Sequence, residues 1–546
     1  MLRRRSLHPA WWALAAVPVA FLGLFFLWPL LTILGRGLIV DGHLDVAGAW
    51  EVLTEPRTGK VVATTIWLAL LGTVGSLLLG VPAAYALFRV RWRGQKAVRA
   101  LATVPFVLPT VVVAAAFSAL LRPSGLLGHF SLDQSMAAVA AALVFYNVAV
   151  VLRVVGGTWA GLDPSTVAAA RVLGASRWRA FREVTLPALM PAVASAAAIV
   201  FLFCATSFGV VLVLGGTRVS TVETEIYLQV NQFLDLRAAA VLSILQLLIV
   251  GLALWVADQA RKRRERATSG KRLDGTRAAR RKDVPVLAAI LAALGLVLLP
   301  PLYALVERSL RTASGHGFDH YAALFQQPGR SVLPVPVWEA AVNSLETAAL
   351  AAAVATILGV VVAHLVTHRT RRSALLDTLV MLPLGVSAVM VGLGMLLTLN
   401  QPIFGVTIGG SWWLVAAAQA VVALPLVVRS IVPTARAIDP HLRMAASSLG
   451  ASPWRVWRTV DWPLLRGTTG LALGFAFAIA LGEFGATSFL ARPDRPTLPT
   501  AIYRLLGRPG LENIGMAFAA SVLLAIMTAS VMMASERMRT QVGADL

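Results

Sequence analysis

Little in this chain of 546 residues has the residue types or the spacing that covalent chemistry requires. Its one cysteine, Cys204, lies in an apolar run, which excludes an internal disulfide framework and a CxxC metal site. The eight histidines are scattered, many of them in loops, so the converging His, Asp or Cys groups of a membrane enzyme are absent. The stretch "RTGKVV" at Arg57 lacks the preceding glycine and the hydroxyl residue of a phosphate-cradling loop, so ATP must be hydrolysed elsewhere if it is used. No catalytic residue, metal or cofactor is expected. One acid stands out: Glu483 interrupts an apolar run, where a carboxylate is costly. Two readings are open for it, a cavity-facing charge that meets a cation, or an interhelical hydrogen bond near the end of a span.

The informative residues belong to a binding motif that occurs twice. Ala169 to Pro187 reads "AARVLGASRWRAFREVTLP" and Ala445 to Pro463 reads "AASSLGASPWRVWRTVDWP". Arg153, Asp163, Pro164, Gly174, Trp178, Arg179, Arg182 and Pro187 fall on Arg429, Asp439, Pro440, Gly450, Trp454, Arg455, Arg458 and Pro463 at one constant offset. Phe208-Gly209 falls on Phe484-Gly485 at the same offset. In each copy an Asp cap and a Pro in the first turn start a short helix at Asp163 and Asp439. Ala169 and Ala170, or Ala445 and Ala446, allow close approach, and Gly174 or Gly450 ends the helix. Ser176 or Ser452 caps a second helix, and Pro187 or Pro463 is expected to break the chain before the next span. One copy could be an amphipathic segment whose arginines meet lipid phosphates. Two copies with the same spacing fit two equivalent pockets on a two-fold-related partner.

The elements that carry these motifs are apolar. The chain is 58% hydrophobic and 14% charged, with a mean hydropathy of +0.76, against the charged share of about a quarter in soluble domains. About twelve runs, six in each half, are long enough to cross a bilayer as helices. The expectation is an all-α integral membrane protein of two parallel tandem repeats, 1–257 and 284–546, with a repeated motif near 163–187 and 439–463. Between the halves, Asp258 to Asp283 carries eleven Lys/Arg against four Asp/Glu and reads as a solvated tether that meets anionic lipid. "MLRRR" and the following run read as an uncleaved first span.

The net charge of +22 is then topology. The basic residues sit in short loops between spans without an aromatic-studded soluble domain, so no nucleic-acid role is expected. Placing the linker and the N-terminus inside also puts Arg89 to Arg99, Arg369 to Arg372 and both repeated motifs on the cytoplasmic side, where the positive-inside rule wants them. Both termini are then cytoplasmic, in a bacterial plasma membrane. The segments near Asp41 to Lys60, Gly215 to Arg237 and Arg311 to Glu339 fall outside, and Trp11-Trp12 and Trp412-Trp413 read as interfacial anchors.

The pattern A-A-x-x-L-G-A-S, then W-R and a Pro, resembles the "EAA" loop of type I (MetI-like) permeases of ATP-binding cassette importers. That resemblance covers both halves. It implies a cytoplasmic ATPase dimer docking on Ala169, Ala170, Gly174, Ala175, Trp178, Arg179 and Arg182, and on Ala445, Ala446, Gly450, Ala451, Trp454, Arg455 and Arg458. The usual glutamate is replaced by Ala168 and Met444. It also implies an extracytoplasmic solute-binding protein that meets the outer loops Gly215 to Arg237 and Arg492 to Glu512. The fused double length resembles the thiamine and ferric-iron importers. The passages "SFGVVLVLGGTRVSTVETEIY" and "EFGATSFLARPDRPTLPTAIY" resemble the thiamine branch more, with thiamine or its phosphate esters the first expectation and ferric iron the second. Ser207, Phe208, Glu483 and Phe484 are then the candidates for the solute pathway. A twelve-helix secondary transporter is the competing class. It needs ion-titrating groups in the membrane beyond Glu483 and leaves the duplicated motif unexplained.

Overall fold

The computed structural model describes residues 9–40, 42–267, 276–313, 315–326, 333–367, 371–400 and 408–544. The basic N-terminal stretch Met1 to Arg5, residues 268–275 of the linker and residues 368–370 of the second basic cluster lie outside the described residues, as do the side chains of Trp11, Trp12, Arg371 and Arg372.

Among the described residues ten helices are long and apolar enough to span a membrane, and two further pairs bring the number to twelve if each bent pair is one span. The protein is an all-α multi-pass membrane protein; its only strands among the described residues are three two-residue pairs. Both bent pairs occupy the place of a third span. Gln95–Val107 meets Thr110–Leu121 at 103°, and Ser373–Gly385 meets Ala388–Leu399 at 100°. Pro109 sets the first bend: the residue before a proline is driven out of the helical region, and Leu108 has ψ 137. Ser387 restarts the second helix by accepting from the Met390 N–H at 3.2 Å.

Two compact units divide the chain at other places than the sequence repeat does. One is Asp45–Gly317; the other combines Met1–Leu44 with Phe318–Leu546. The first unit takes in Arg281–Leu310, the first apolar helix after the linker, and the second takes in Ala13–Leu38 at the start of the chain. Within the second of these units, Gly394 lies so close to Pro29 of the N-terminal helix that a Cβ there would sit 2.9 Å from the Pro29 side chain.

Glycines set the closest packing inside each unit. Gly80 abuts Val151 and Gly359 abuts Val427, the repeat partner of Val151; a Cβ would come within 2.7 Å and 2.5 Å of the respective valine side chains. Small residues at helix crossings are how membrane helices gain van der Waals contact when lipid is as apolar as the partner. Cys204 serves the same purpose: it is buried against Gly72 and receives a weak hydrogen bond from Asn147 at 3.4 Å.

The passages expected to be outer loops differ from what the sequence suggested. Each contains a helix packed into its unit, Val222–Asn231 and Leu498–Leu506, whose first residues are fully buried. A hydroxyl on the second span caps each one: the Val222 N–H donates to Thr65 Oγ1 at 3.0 Å, and the Leu498 N–H donates to Ser344 Oγ at 2.7 Å. A buried helix start needs such acceptors because water cannot reach it. Residues 216–218 and 492–494 before these helices and the tips 231–235 and 507–512 after them stay exposed.

The linker also departs from a free tether at its far end. Arg277-Ala278 pairs in parallel with Val90-Arg91, Arg277 is ion-paired to Asp283 at 2.6 Å, and it donates to the Tyr85 hydroxyl at 2.6 Å.

Candidate functional site

The two repeated motifs fold alike. Asp163 caps Pro164–Val172 by accepting from the Ser165 N–H at 2.8 Å, and Asp439 caps Pro440–Ser448 by accepting from the His441 N–H at 2.9 Å. The hydroxyl and amide of Ser165 hold the half-buried Asp163 carboxyl below the usual carboxylate range. Both helices end identically. Gly174 and Gly450 adopt φ +87° and +81°, a left-handed conformation that suits glycine. The Ala175 N–H then reaches back to the Ala170 carbonyl at 3.0 Å, and Ala451 to Ala446 at 3.0 Å. This six-to-one bond satisfies a carbonyl that the helix end would otherwise orphan, so the spacing between the alanine pair and Gly-Ala-Ser is a geometric requirement. Ser176 and Ser452 restart the helix by accepting from the Arg179 and Arg455 N–H groups.

The next helix runs straight into the membrane. The prolines do not break the chain, contrary to the expectation for Pro187 and Pro463: Arg177–Ala205 and Pro453–Gly482 are continuous spans. A wide π turn precedes each proline, Phe181–Thr185 and Trp457–Asp461, with the Leu186 and Trp462 N–H groups bonded to the Phe181 and Trp457 carbonyls. Shifting the hydrogen-bond register by one residue accommodates a ring that has no N–H and would collide in a regular turn. The second helix of each motif is therefore continuous with its fifth span.

Exposure matches position by position. Ala169 and Ala445, Gly174 and Gly450, Trp178 and Trp454, Arg179 and Arg455, and Arg182 and Arg458 are all exposed, while Ala170, Ala446, Ala175 and Ala451 are half-buried. No residue of Pro164–Val172 or Pro440–Ser448 is buried. A Cβ on Gly174 or Gly450 would meet nothing within 4 Å. The sequence reading passed over Leu173 and Leu449, which are 87% and 89% exposed at the tips. Their signal was the leucine before the glycine in both copies. A scattered exposed leucine means little, but here the same tip is left bare in two matched places.

The copies differ in their bracing. In the second, Arg443 pairs with the buried Asp461 at 2.7 Å; the first has Val167 and Thr185 there. In the first, Arg179 pairs with Glu183 at 3.1 Å on the exposed face, a contact worth little in water.

The pathway candidates lie where the fifth spans stop. The helix ends at Ala205 and at Gly482, with Ser207-Phe208 and Glu483-Phe484 in the breaks that follow. Phe208 packs on Tyr227 and Phe484 on Tyr503, both at 5.5 Å between ring centres. Glu483 is 7% exposed, and its two carboxylate oxygens accept from the Ala486 N–H at 2.7 Å, the Thr487 N–H at 3.0 Å and the Thr487 hydroxyl at 2.6 Å. Its charge is met by the start of its own next helix, as a capping carboxylate would be. Among the described residues no group of His, Cys, Asp and Glu could hold a metal ion.

Ten to twelve apolar helices among the described residues, with two matched exposed knobs, define a transport permease of the membrane, a non-catalytic transmembrane subunit. A family model described as "Binding-protein-dependent transport system inner membrane component" matches residues 76–266, from the second span past the first knob. The molybdenum transport system permease protein ModB of Escherichia coli (strain K12) is 36% identical over 197 residues, 33% of this chain and 85% of that protein. The thiamine transport system permease protein ThiP of Brucella abortus (strain 2308) is 26% identical over 491 residues, 88% of this chain and 87% of that protein. A crystal structure of a bacterial alginate ABC transporter aligns with a TM-score of 0.39 and 18% identity, over 48% of this chain and 95% of that one. The chain belongs to the family of binding-protein-dependent transport system inner membrane components.

Proposed function

We propose that this permease is a fused double subunit, two six-span type I repeats in one chain, that carries thiamine or its phosphate esters inward and is driven by a separate ATPase dimer on the cytoplasmic side. The observation that carries the reading is the pair of knobs: equal in backbone geometry, bare at the tip, and each continuous with a fifth span. A rigid helix that runs from a docking surface into the membrane transmits displacement without a hinge. ATP-driven closure of the dimer would move both knobs together and open the pathway outward; hydrolysis would reset it.

The breaks at Ser207-Phe208 and Glu483-Phe484 are the segments we assign to the pathway, Glu483 acting through the shape of its loop. The exposed tips 231–235 and 507–512 are the surfaces we assign to a solute-binding protein on the other side. Thiamine is favoured over other solutes because the likeness to ThiP runs over 88% of the chain, whereas the ModB likeness covers 33%.

Copurification tests the coupling. The chain should retain an ATPase subunit from its own host, and Gly174→Trp with Gly450→Trp should release it while the protein still inserts and unfolds cooperatively. Retention of the ATPase by that variant sinks the docking assignment. Uptake of radiolabelled thiamine, thiamine phosphate and ferric iron by reconstituted transporter tests the solute.

A further inference from the structure

A cavity of about 320 Å³ opens at the root of the first knob, entirely within the Asp45–Gly317 unit. Four arginines line it, Arg89 from the end of the second span, Arg171 and Arg177 from the knob, and Arg277 from the docked end of the linker, the last already ion-paired to Asp283 at 2.6 Å outside the lining. The one acid in its lining is Asp163, whose carboxylate already accepts from the Ser165 amide and hydroxyl. Its walls include Tyr85, Trp159 and Phe181, and Tyr85 and Trp159 lie 5.5 Å apart.

A positive-inside bias accounts for arginines near a membrane surface, but it does not gather four of them around one aromatic-walled hollow. Asp283 already meets the charge of Arg277, so the surplus that a bound anion offsets is that of Arg89, Arg171 and Arg177, and guanidinium groups match phosphate oxygens in a planar fork. The volume lies within the range that holds a small organic ligand. The second knob shows what is missing in the first. There the positions of Val167 and Thr185, both facing the cavity, hold the ion pair Arg443 to Asp461 at 2.7 Å. The positions of Arg171 and Arg177 hold Ser447 and Pro453. The second knob is braced internally; the first has a basic cavity in place of the brace.

We propose that this cavity binds a phosphate-bearing anion, from a lipid headgroup or a soluble phosphoester, whose oxygens bridge the knob arginines to Arg89 and Arg277. Occupancy then supplies to the first knob the stiffness that Arg443 and Asp461 supply to the second. Binding itself stands apart from the ATPase assignment; the effect on coupling rests on it.

Two probes applied to the full chain test the site. Native mass spectrometry from mixed micelles reads retention of phosphatidylglycerol against phosphatidylcholine, and calorimetry reads phenyl phosphate, with phenol as the uncharged control. Arg171→Gln with Arg177→Gln should weaken whichever probe binds by about tenfold or more. Val167→Arg with Thr185→Asp transplants the second-half brace into the cavity, and should remove binding while leaving the melting temperature equal to or above that of the parent. Binding of the lipid alone assigns the site to a headgroup, and of phenyl phosphate alone to a soluble ester. If neither probe binds the parent, or if both variants bind as the parent does, the proposal is overturned.

Discussion

Arg443 donates through Nε to a carboxylate oxygen of Asp461 at 2.7 Å, tying the exposed helix of the second knob to the π turn of the fifth span. Asp461 is almost fully buried, while the Arg443 side chain keeps 28% of its surface in contact with solvent. Removing the arginine leaves a buried carboxylate without its counter-charge, so Arg443→Ala is expected to lower stability by about 1–3 kcal/mol, less than for a fully buried pair. Arg443→Val with Asp461→Thr, the residues of the first knob, should recover most of that loss. Thermal unfolding in detergent measures both; a double variant as unstable as the single one contradicts a pairwise brace.

Leu173 and Leu449 are bare at the knob tips, so Leu173→Asp with Leu449→Asp should change the unfolding midpoint by little, about 0.5 kcal/mol per site. If the tips enter clefts on an ATPase dimer, association should weaken by about a hundredfold or more, because each substitution sets a charge in an apolar contact. Equilibrium binding of the purified ATPase subunit is the measurement. Undiminished affinity would show that the leucines face solvent or lipid in the working complex.

Glu483 caps the helix start at Ala486 and Thr487, which makes its role separable from that of a solute-binding charge. Glu483→Gln keeps one acceptor oxygen and weakens the cap, with an expected cost of about 1–2 kcal/mol. The capping role predicts a lower unfolding midpoint, with KM for a cationic solute unchanged in reconstituted vesicles. A KM raised more than tenfold at unchanged stability would instead put the carboxylate in direct contact with the solute.

The glycine crossings give a steric prediction. Gly80→Val and Gly359→Val push a side chain into Val151 and Val427, where a Cβ alone is already within 2.7 Å and 2.5 Å. Overpacking of this kind costs about 1–3 kcal/mol per site. Enlarging the pocket with Val151→Ala or Val427→Ala in the same chain should offset part of it; thermal unfolding of the four single and two paired variants reads the coupling.

Much of the candidate site was legible in the residues themselves. The two knobs announce themselves by Asp-Pro, Gly and Ser at fixed spacing, because caps and left-handed helix ends are local demands met within a few residues. Their exposure was not legible in that way, and neither were Leu173 and Leu449, since a leucine reads the same whether it meets core, lipid or partner. Pro187 and Pro463 misled because a lone proline signals a break, and only the surrounding backbone reveals the π turns that absorb them. The passages after Phe208 and Phe484 read as loops because their helices are short, ten and nine residues. The hydroxyls that cap them, Thr65 and Ser344, stand far away in the chain.

Sequence alone determined the class of protein, the duplication and the local shape of the knobs, since hydropathy, repeat spacing and capping depend on neighbours along the chain. Tertiary structure decided which spans pack into one compact unit, that Arg281–Leu310 joins the helices before the linker and Ala13–Leu38 those after it, and that a basic cavity lies under one knob and an ion pair under the other. Those outcomes rest on contacts between residues remote in sequence, whose geometry is set only when glycine-lined helices close on one another.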